Sequence, residues 1–389
     1  MSQASSLGRS ERDSTQGDER ETIPFQLRRL GVVMHPDPAR PEEARGILNP
    51  GVARDHEGRV WLFPRVVDQH DRSRIIRARV LLNERGDPTS VIREGVALEP
   101  SESYELRPVE QAGGCEDPRV TYIEALNLYV MTYCAWGLAG ARLAMACSTD
   151  LRSWERLGLV DFEPHVDPLY RVNFDEYYNK DGVLFPAPVN DPDGLKSIAL
   201  LHRPVYGDHI PNGITDPRPA IWISYSPLEA ARRNRSALRD MRRHHVLIEP
   251  ESAWEALYIG AGTPPILTPH GWLVIYHGVQ EHPVPPGDPR KPLRYSAGAL
   301  ILDTFDPRIV RYRSPRPILE PETPEEMGGN VAGGAVFPTG IDDLGGGRMN
   351  VYYGVSDTRI GVARLQVPAH LPGPPRAEPA ARLVGNRGS

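Results

Sequence analysis

Along most of the chain, apolar residues come in short alternating runs separated by turns rich in Gly, Pro, Asn or Asp. Arg59-Val60-Trp61-Leu62-Phe63, Leu128-Tyr129-Val130-Met131-Thr132-Tyr133 and Ser197-Ile198-Ala199-Leu200-Leu201 have the length and side-chain type of strands, as do Trp272-Leu273-Val274-Ile275-Tyr276 and Met349-Asn350-Val351-Tyr352-Tyr353. Each follows a turn that opens another apolar run: Asn49-Pro50-Gly51-Val52, Glu116-Asp117-Pro118-Arg119-Val120, Lys180-Asp181-Gly182-Val183-Leu184-Phe185-Pro186, Gly260-Ala261-Gly262-Thr263-Pro264-Pro265 and Gly334-Ala335-Val336-Phe337-Pro338. Measured from Asn49, Asp117, Asp181, Gly262 and Phe337, the steps are 68, 64, 81 and 75 residues. Runs such as Arg142-Leu143-Ala144-Met145-Ala146 and Ala220-Ile221-Trp222-Ile223-Ser224 leave room for four strands per unit. A strand-hairpin-strand unit repeated in this way predicts a radial all-β architecture, a five-bladed β-propeller. A β-sandwich is the alternative, but sandwiches rarely repeat one motif five times. One helical insertion is expected, with Ser226 as N-cap, Pro227 in the first turn and a helix from Leu228 to about Arg243.

In a propeller the innermost strand of every unit opens on one channel, so equivalent positions converge there. Those positions hold Asn49, Asp117, Lys180 with Asp181, and Gly262. The most informative is the segment Gly113-Gly114-Cys115-Glu116-Asp117-Pro118-Arg119-Val120. Its glycines allow a tight turn, and Pro118 is expected to push Asp117 toward extended backbone. A carboxylate presented there is a proton donor or a turn former, and these eight residues alone leave both open.

The 389 residues suffice for a large core, and 36 Gly with 40 Pro imply many turns and few long helices. A net charge of -6 argues against nucleic-acid or membrane partners. Cys115, Cys134 and Cys147 show neither disulfide nor zinc spacing, so no metal is expected and a cytoplasmic setting is natural. No apolar run approaches the roughly 18 residues of a membrane span. Residues 1–23 read as a disordered polar lead without the apolar stretch of a signal peptide, 24–367 as the catalytic propeller, and 368–389 as a disordered Pro-rich tail.

Several segments together resemble glycoside hydrolase family 130, the inverting β-mannoside phosphorylases and related β-mannosidases. They are Asn49-Pro50-Gly51-Val52, Glu116-Asp117-Pro118-Arg119-Val120-Thr121, Asn179-Lys180-Asp181 with Leu184-Phe185-Pro186, and Leu201-His202-Arg203-Pro204. Ile221 to Pro227, Ile259 to Pro265, Ile275-Tyr276-His277-Gly278 and Tyr352-Tyr353-Gly354 before Asp357-Thr358 continue the match in family order, over roughly residues 45 to 365. The resemblance implies the five-bladed propeller read from the repeat. It also implies phosphorolysis of a β-mannoside to α-mannose 1-phosphate, with a small oligosaccharide and inorganic phosphate as co-substrates and no other cofactor.

An inverting phosphorylase needs one general acid and a bound phosphate nucleophile; an inverting hydrolase needs a second carboxylate to activate water. The resemblance assigns the acid to Asp117, its proton relayed through a sugar hydroxyl. It places Arg142, Lys180, Arg203 and His277 around phosphate, a mixed set of fork and point donors suited to a tetrahedral dianion. Asn49 and Arg65 match positions lining the subsite of the transferred mannose. Each has a plainer reading: a solvated strand residue for Arg142 and Arg65, a surface ion pair for Lys180, a loop cap for Arg203, a backbone-bonded ring for His277, a turn for Asn49. Tyr133, Trp136 and Tyr276 are candidate sugar platforms, more often core.

Two segments depart from the family pattern. The acid that holds mannose, usually in Asp-Val-Pro-Asn before the last Val-Phe-Pro, is replaced by Asn330 in a segment one residue longer, and the motif Tyr-Arg-x-Gly appears as Tyr295-Ser296-Ala297-Gly298. Both touch the substrate side. The insertion Tyr206 to Pro219 and the arginines from Arg232 to Arg243 offer an oligomer contact, a wall over the acceptor site, or a solvated face. Two competing readings stand: a β-mannosidase using Glu176, Glu255 or Asp175 as base, and a non-catalytic glycan-binding propeller.

Overall fold

The computed structural model describes residues 24–108, 111–166 and 171–371. The polar lead 1–23 and residues 372–389 of the tail lie outside the described residues.

The fold is nearly all-β, and its strands group in chain order into antiparallel four-stranded units. The first comprises Gly46–Arg54, Val60–Val67, Arg72–Leu82 and Pro88–Leu98, and the second Gly113–Ile123, Leu128–Gly137, Gly140–Ser148 and Glu155–Leu159. A short parallel bridge, Arg72 to Gly113 and Ser73 to Gly114, joins these two into one sheet. The third holds Tyr178–Leu184, Lys196–Val205, Ile221–Pro227 and Asp240–Ile248. The fourth holds Tyr258–Ala261, Gly271–Glu281, Leu293–Leu302 and Val310–Arg313. The last is completed from both ends of the chain: Val336–Asp343, Arg348–Val355 and Arg359–Gln366 are joined by Gln26–Met34.

Every hydrophobic core cluster lies between two consecutive units. Trp61, Phe63 and Ile75 of the first pack with Val120, Tyr129 and Met131 of the second. Val130 and Met145 of the second meet Leu200 and Trp222 of the third. Ile221 and Ile223 meet Trp272 and Val274, and Leu273 and Ile275 meet Val351 and Tyr353. Tyr352 and Val362 of the last unit pack on Ile47, Leu62 and Val66 of the first. The units therefore succeed one another around a closed ring, and the inner strands are covered on both faces. That is why their apolar runs are nearly continuous, whereas the outer strand Pro88–Leu98 is only partly covered. Full burial of one such large side chain contributes about 1.5–3 kcal/mol.

The first strands of neighbouring units approach closely. Thr339 Oγ1 donates to the Pro50 carbonyl at 3.0 Å, and a Cβ on Gly340 would fall 2.9 Å from that same oxygen. Only glycine fits so narrow a gap between two backbones.

The expected helix over Leu228 to about Arg243 is shorter than the sequence implied. It runs Leu228–Arg233 with Pro227, not Ser226, at its N-cap. Asn234 is extended and caps a 3-10 turn, Arg235–Arg239, through its bond from the Ser236 amide, and Asp240–Ile248 is already strand. The edge of the third sheet and burial of Leu238 and Met241 outweigh helix propensity there. Pro324–Met327 is the other α-helix among the described residues. Among the described residues, no helix is long and apolar enough to cross a membrane.

Candidate active site

In three of the first strands the pairing slips at the turn motif, between Leu48 and Gly51, Glu116 and Arg119, and Lys180 and Val183. The residue entering each bulge is left-handed: φ is 46° at Asn49, 46° at Asp117 and 57° at Asp181. Asn and Asp tolerate this region best among non-glycine residues, and a bulge re-aims its side chain. The extended backbone expected at Asp117 from Pro118 is thus corrected. The bulge dictates the turn, and Arg119 Nη1 fixes it by donating to the Asp117 carbonyl at 2.8 Å.

These bulges open on a cavity of about 390 Å3. Asp117 Oδ1 accepts from Asn49 Nδ2 at 2.8 Å and from Arg65 Nη1 at 3.1 Å. The other end of the Arg65 fork holds Glu116 Oε1 at 2.6 Å, and its Nε donates to Ser73 Oγ. Lys180 Nζ lies 3.8 Å from Glu116 Oε2 and 4.1 Å from the Trp136 ring centre. Asp181 is enclosed by Arg203 Nε at 2.6 Å, Arg119 Nη2 at 3.2 Å and His277 Nε2 at 3.6 Å. Arg203 also stacks on Tyr258, whose hydroxyl bonds that of Tyr295.

Burial alone would raise the Asp117 carboxyl, but Arg65, Arg119, Lys180 and the Asn49 bond together hold it below the usual carboxylate range. Asp181 is likewise held well below the usual range, because the guanidiniums of Arg203 and Arg119 outweigh its burial. Burial pushes His277 down to about 3, so its imidazole is neutral, and neither ring nitrogen has a hydrogen-bond partner among the described residues. A buried, unpaired, neutral imidazole lining a cavity is free to donate to or accept from a ligand.

Asn49, Arg65, Asp117, Lys180, Arg203 and His277 all line this cavity. Asn330 lines an adjoining one of about 440 Å3, where its Nδ2 reaches the Asp357 carbonyl at 3.4 Å. Arg142 is not among the lining residues of either; its Nη1 donates to the Tyr177 carbonyl at 3.0 Å. Of the three aromatic candidates only Trp136 lines the cavity, while Tyr133 and Tyr276 are core residues bonded to Glu105 and Glu255. The candidate bases lie elsewhere. Glu255 is locked by Tyr276 and Arg313 in a capping box, Asp175 accepts from the Phe162 amide, and Glu176 pairs with Asn173.

Sequence reasoning passed over Glu116, Lys291, Tyr258 and Asp357 as site residues. Lys291 and Asp357 line both cavities and pair at 2.6 Å. Asp357 stood in a matched segment, and it follows Ser356 in a left-handed pair, φ 48° and 58°. Lys291 had no signal: its place depends on backbone bonds to Asn330 and Ala332.

A family model described as beta-1,4-mannooligosaccharide phosphorylase matches residues 18–369. The chain is 32% identical over 265 residues to a 1,2-beta-oligomannan phosphorylase of Thermoanaerobacter sp. (strain X514), a match covering 66% of this chain and 70% of that protein. It is 30% identical over 269 residues to a beta-1,4-mannooligosaccharide phosphorylase of Ruminococcus albus, covering 66% and 63%. Among solved structures, the β-1,2-mannobiose phosphorylase of Listeria innocua in complex with β-1,2-mannobiose superposes with a TM-score of 0.64 at 24% identity, covering 88% of this chain and 97% of that one. At that identity the likeness speaks for the fold, which is propeller-like.

Proposed function

The chain belongs to glycoside hydrolase family 130, and on that premise we propose that it is an inverting phosphorylase of β-mannosides, built as a five-bladed β-propeller. The five four-stranded units and the ring of cores between them support the propeller reading. Phosphate, held by Lys180, Arg203 and His277, attacks C1 of the terminal mannose from the face opposite the leaving oxygen. As the glycosidic C1–O bond breaks, that oxygen takes the proton of Asp117 through a sugar hydroxyl, and α-mannose 1-phosphate leaves. Asn49 and Arg65 hold the acid and the mannose. Asn330, in the adjoining cavity, contacts the sugar substrate, and Arg142, whose Nη1 donates to the Tyr177 carbonyl, completes the phosphate set at the edge of the site.

The observation that carries this reading is the meeting in one cavity of Asp117 with Lys180, Arg203 and an unpaired, neutral His277. The cations around Asp117 favour its charged form. A phosphate dianion between them offsets that field and raises the proton affinity of Asp117, so the second substrate readies the acid. The phosphate anion is its own nucleophile and needs no base, which fits a cavity lined by none of Glu176, Glu255 and Asp175 and in which Glu116, Asp181 and Asp357 are engaged by Arg65, Arg203 and Lys291.

Incubation with a panel of β-mannosides, with and without inorganic phosphate, tests the proposal. Mannose 1-phosphate formed only with phosphate is the expected result. Free mannose released at a phosphate-independent rate would make the enzyme a hydrolase, and binding without turnover would make it a glycan-binding protein.

A further inference from the structure

Behind the cations of the cavity runs a buried polar row that crosses every strand of the third unit. Asn179 on the first strand faces His202 Nδ1 on the second at 3.0 Å. His202 Nε2 lies 2.8 Å from Ser224 Oγ on the third, and Ser224 Oγ lies 2.8 Å from His244 Nδ1 on the fourth. His244 Nε2 ends the row 2.8 Å from the Glu163 carbonyl. His202, Ser224 and His244 are fully buried and Asn179 is 2% exposed. Phe162 and Phe174 pack against the imidazoles, with ring centres 4.7 and 5.1 Å from His202.

The carbonyl at one end only accepts, so His244 Nε2 donates to it. With the proton of His202 on Nε2, Ser224 Oγ accepts from it and His202 Nδ1 accepts from the Asn179 amide. Burial, with His244 alongside, keeps His202 far below its ordinary range and therefore neutral. Each member of the row is bonded to the next, which restrains its rotamer; a buried network of this kind specifies one arrangement.

Its position in the sheet links it to the cavity. Asn179 precedes Lys180, His202 precedes Arg203, and Lys180 pairs with Arg203 in the strand register. The two residues that open the row are thus the chain neighbours of the two cations. We propose that Asn179, His202, Ser224 and His244 are positioning residues: the row locks the two strands so that Lys180 and Arg203 stand at the separation phosphate requires. None of the four lines the cavity, so they act through the cations and not on the substrate. The inference rests on the phosphate-binding role given above.

Calorimetric titration of the full chain with inorganic phosphate tests it apart from turnover. Ser224→Ala removes the central hydroxyl and breaks both halves of the row. It should weaken phosphate binding about tenfold, a usual consequence of misplacing a binding group by a fraction of an ångström, while the KM for the β-mannoside stays within about twofold. Ser224→Thr, which keeps the hydroxyl, should recover most of the affinity. Ile223→Val, on the opposite face of the same strand, should lower the melting temperature without changing phosphate affinity. If Ser224→Ala does not fold, His244→Gln, which loosens the last link, should shift affinity in the same direction by about threefold. Wild-type affinity in a folded Ser224→Ala, or a loss in Ile223→Val that matches its loss of thermal stability, would overturn the positioning role. Failure of the wild-type chain to bind phosphate at all would instead overturn the phosphorylase reading on which it rests.

Discussion

The bulges of the second and third units hold two aspartates under nearly the same local rules, yet their surroundings give them different work. Asp117 and Asp181 both enter a bulge in a first strand, both with left-handed backbone, both facing one cavity. Asp117 keeps 13% of its side-chain exposure, and its two neighbours, Asn49 and Arg65, both engage Oδ1. Asp181 is 2% exposed, with Oδ1 held by Arg119 and Oδ2 by Arg203. The first carboxylate is restrained and reachable, so it can exchange a proton. The second is surrounded by positive groups and serves as the counter-ion that keeps Arg119 and Arg203 in place. Reactivity here is decided by who surrounds the carboxylate, since the backbone beneath is alike.

Neutralising each acid separates the two roles. Asp117→Asn keeps a side chain that tolerates left-handed backbone and the bond to Arg65, and it removes the proton. Turnover should fall by about 10²–10⁴-fold, the usual worth of a general acid, with the fold retained; a near-normal rate would remove Asp117 from the chemistry. Asp181→Asn should show the opposite balance. It strips the counter-charge from two guanidiniums that are almost fully buried, which costs about 3–5 kcal/mol. Urea unfolding should register that loss; a denaturation midpoint equal to the wild type would show that Asp181 is not the anchor of Arg119 and Arg203.

Much of this arrangement was legible before the structure, and the exceptions share a cause. The turn-strand repeat marked the units because alternation and turn residues are local properties, and equal places in the repeat led to Asn49, Asp117 and Lys180. Local rules failed where a distant partner decides. Pro118 argued for extended backbone at Asp117, but the bulge and Arg119 impose the left-handed turn. Arg232 to Arg243 looked like one helical face, but the sheet edge beside Ile221–Pro227 converts its second half to strand. Arg142 stood at a matching motif position, and its Nη1 donates to the Tyr177 carbonyl, a partner that no local pattern announces. Lys291 and Asp357 meet only because separate loops are tied by the Asn330 backbone.

A smaller effect is expected from Arg203→Ala, which bears on both sides of the comparison because Arg203 touches Asp181 and lines the cavity. Loss of a charge-assisted contact should raise the apparent KM for phosphate by the equivalent of about 1.5–3 kcal/mol. Phosphate saturation curves on the variant check this, and an unchanged KM would take Arg203 out of the phosphate site.

The smallest effect sharpens the contrast through His277, which faces Asp181 yet is neutral. Its folded value of about 3 lies below the ordinary imidazole value of 6.5. Above about pH 6.5 the imidazole is neutral in both states, and its contribution to stability is fully present. As pH falls from there toward 3, the unfolded chain binds a proton that the folded site refuses, so stability drops with a slope approaching about 1.4 kcal/mol per pH unit. His277→Gln cannot titrate and should lose that component. Urea melts at pH 7.5, 6 and 5 should therefore show the gap between wild type and variant narrowing toward acid. Parallel curves would mean that His277 binds its proton alike in the folded and unfolded chain, and a gap widening toward acid would mean that Asp181 holds it as a cation in the way it holds Arg203.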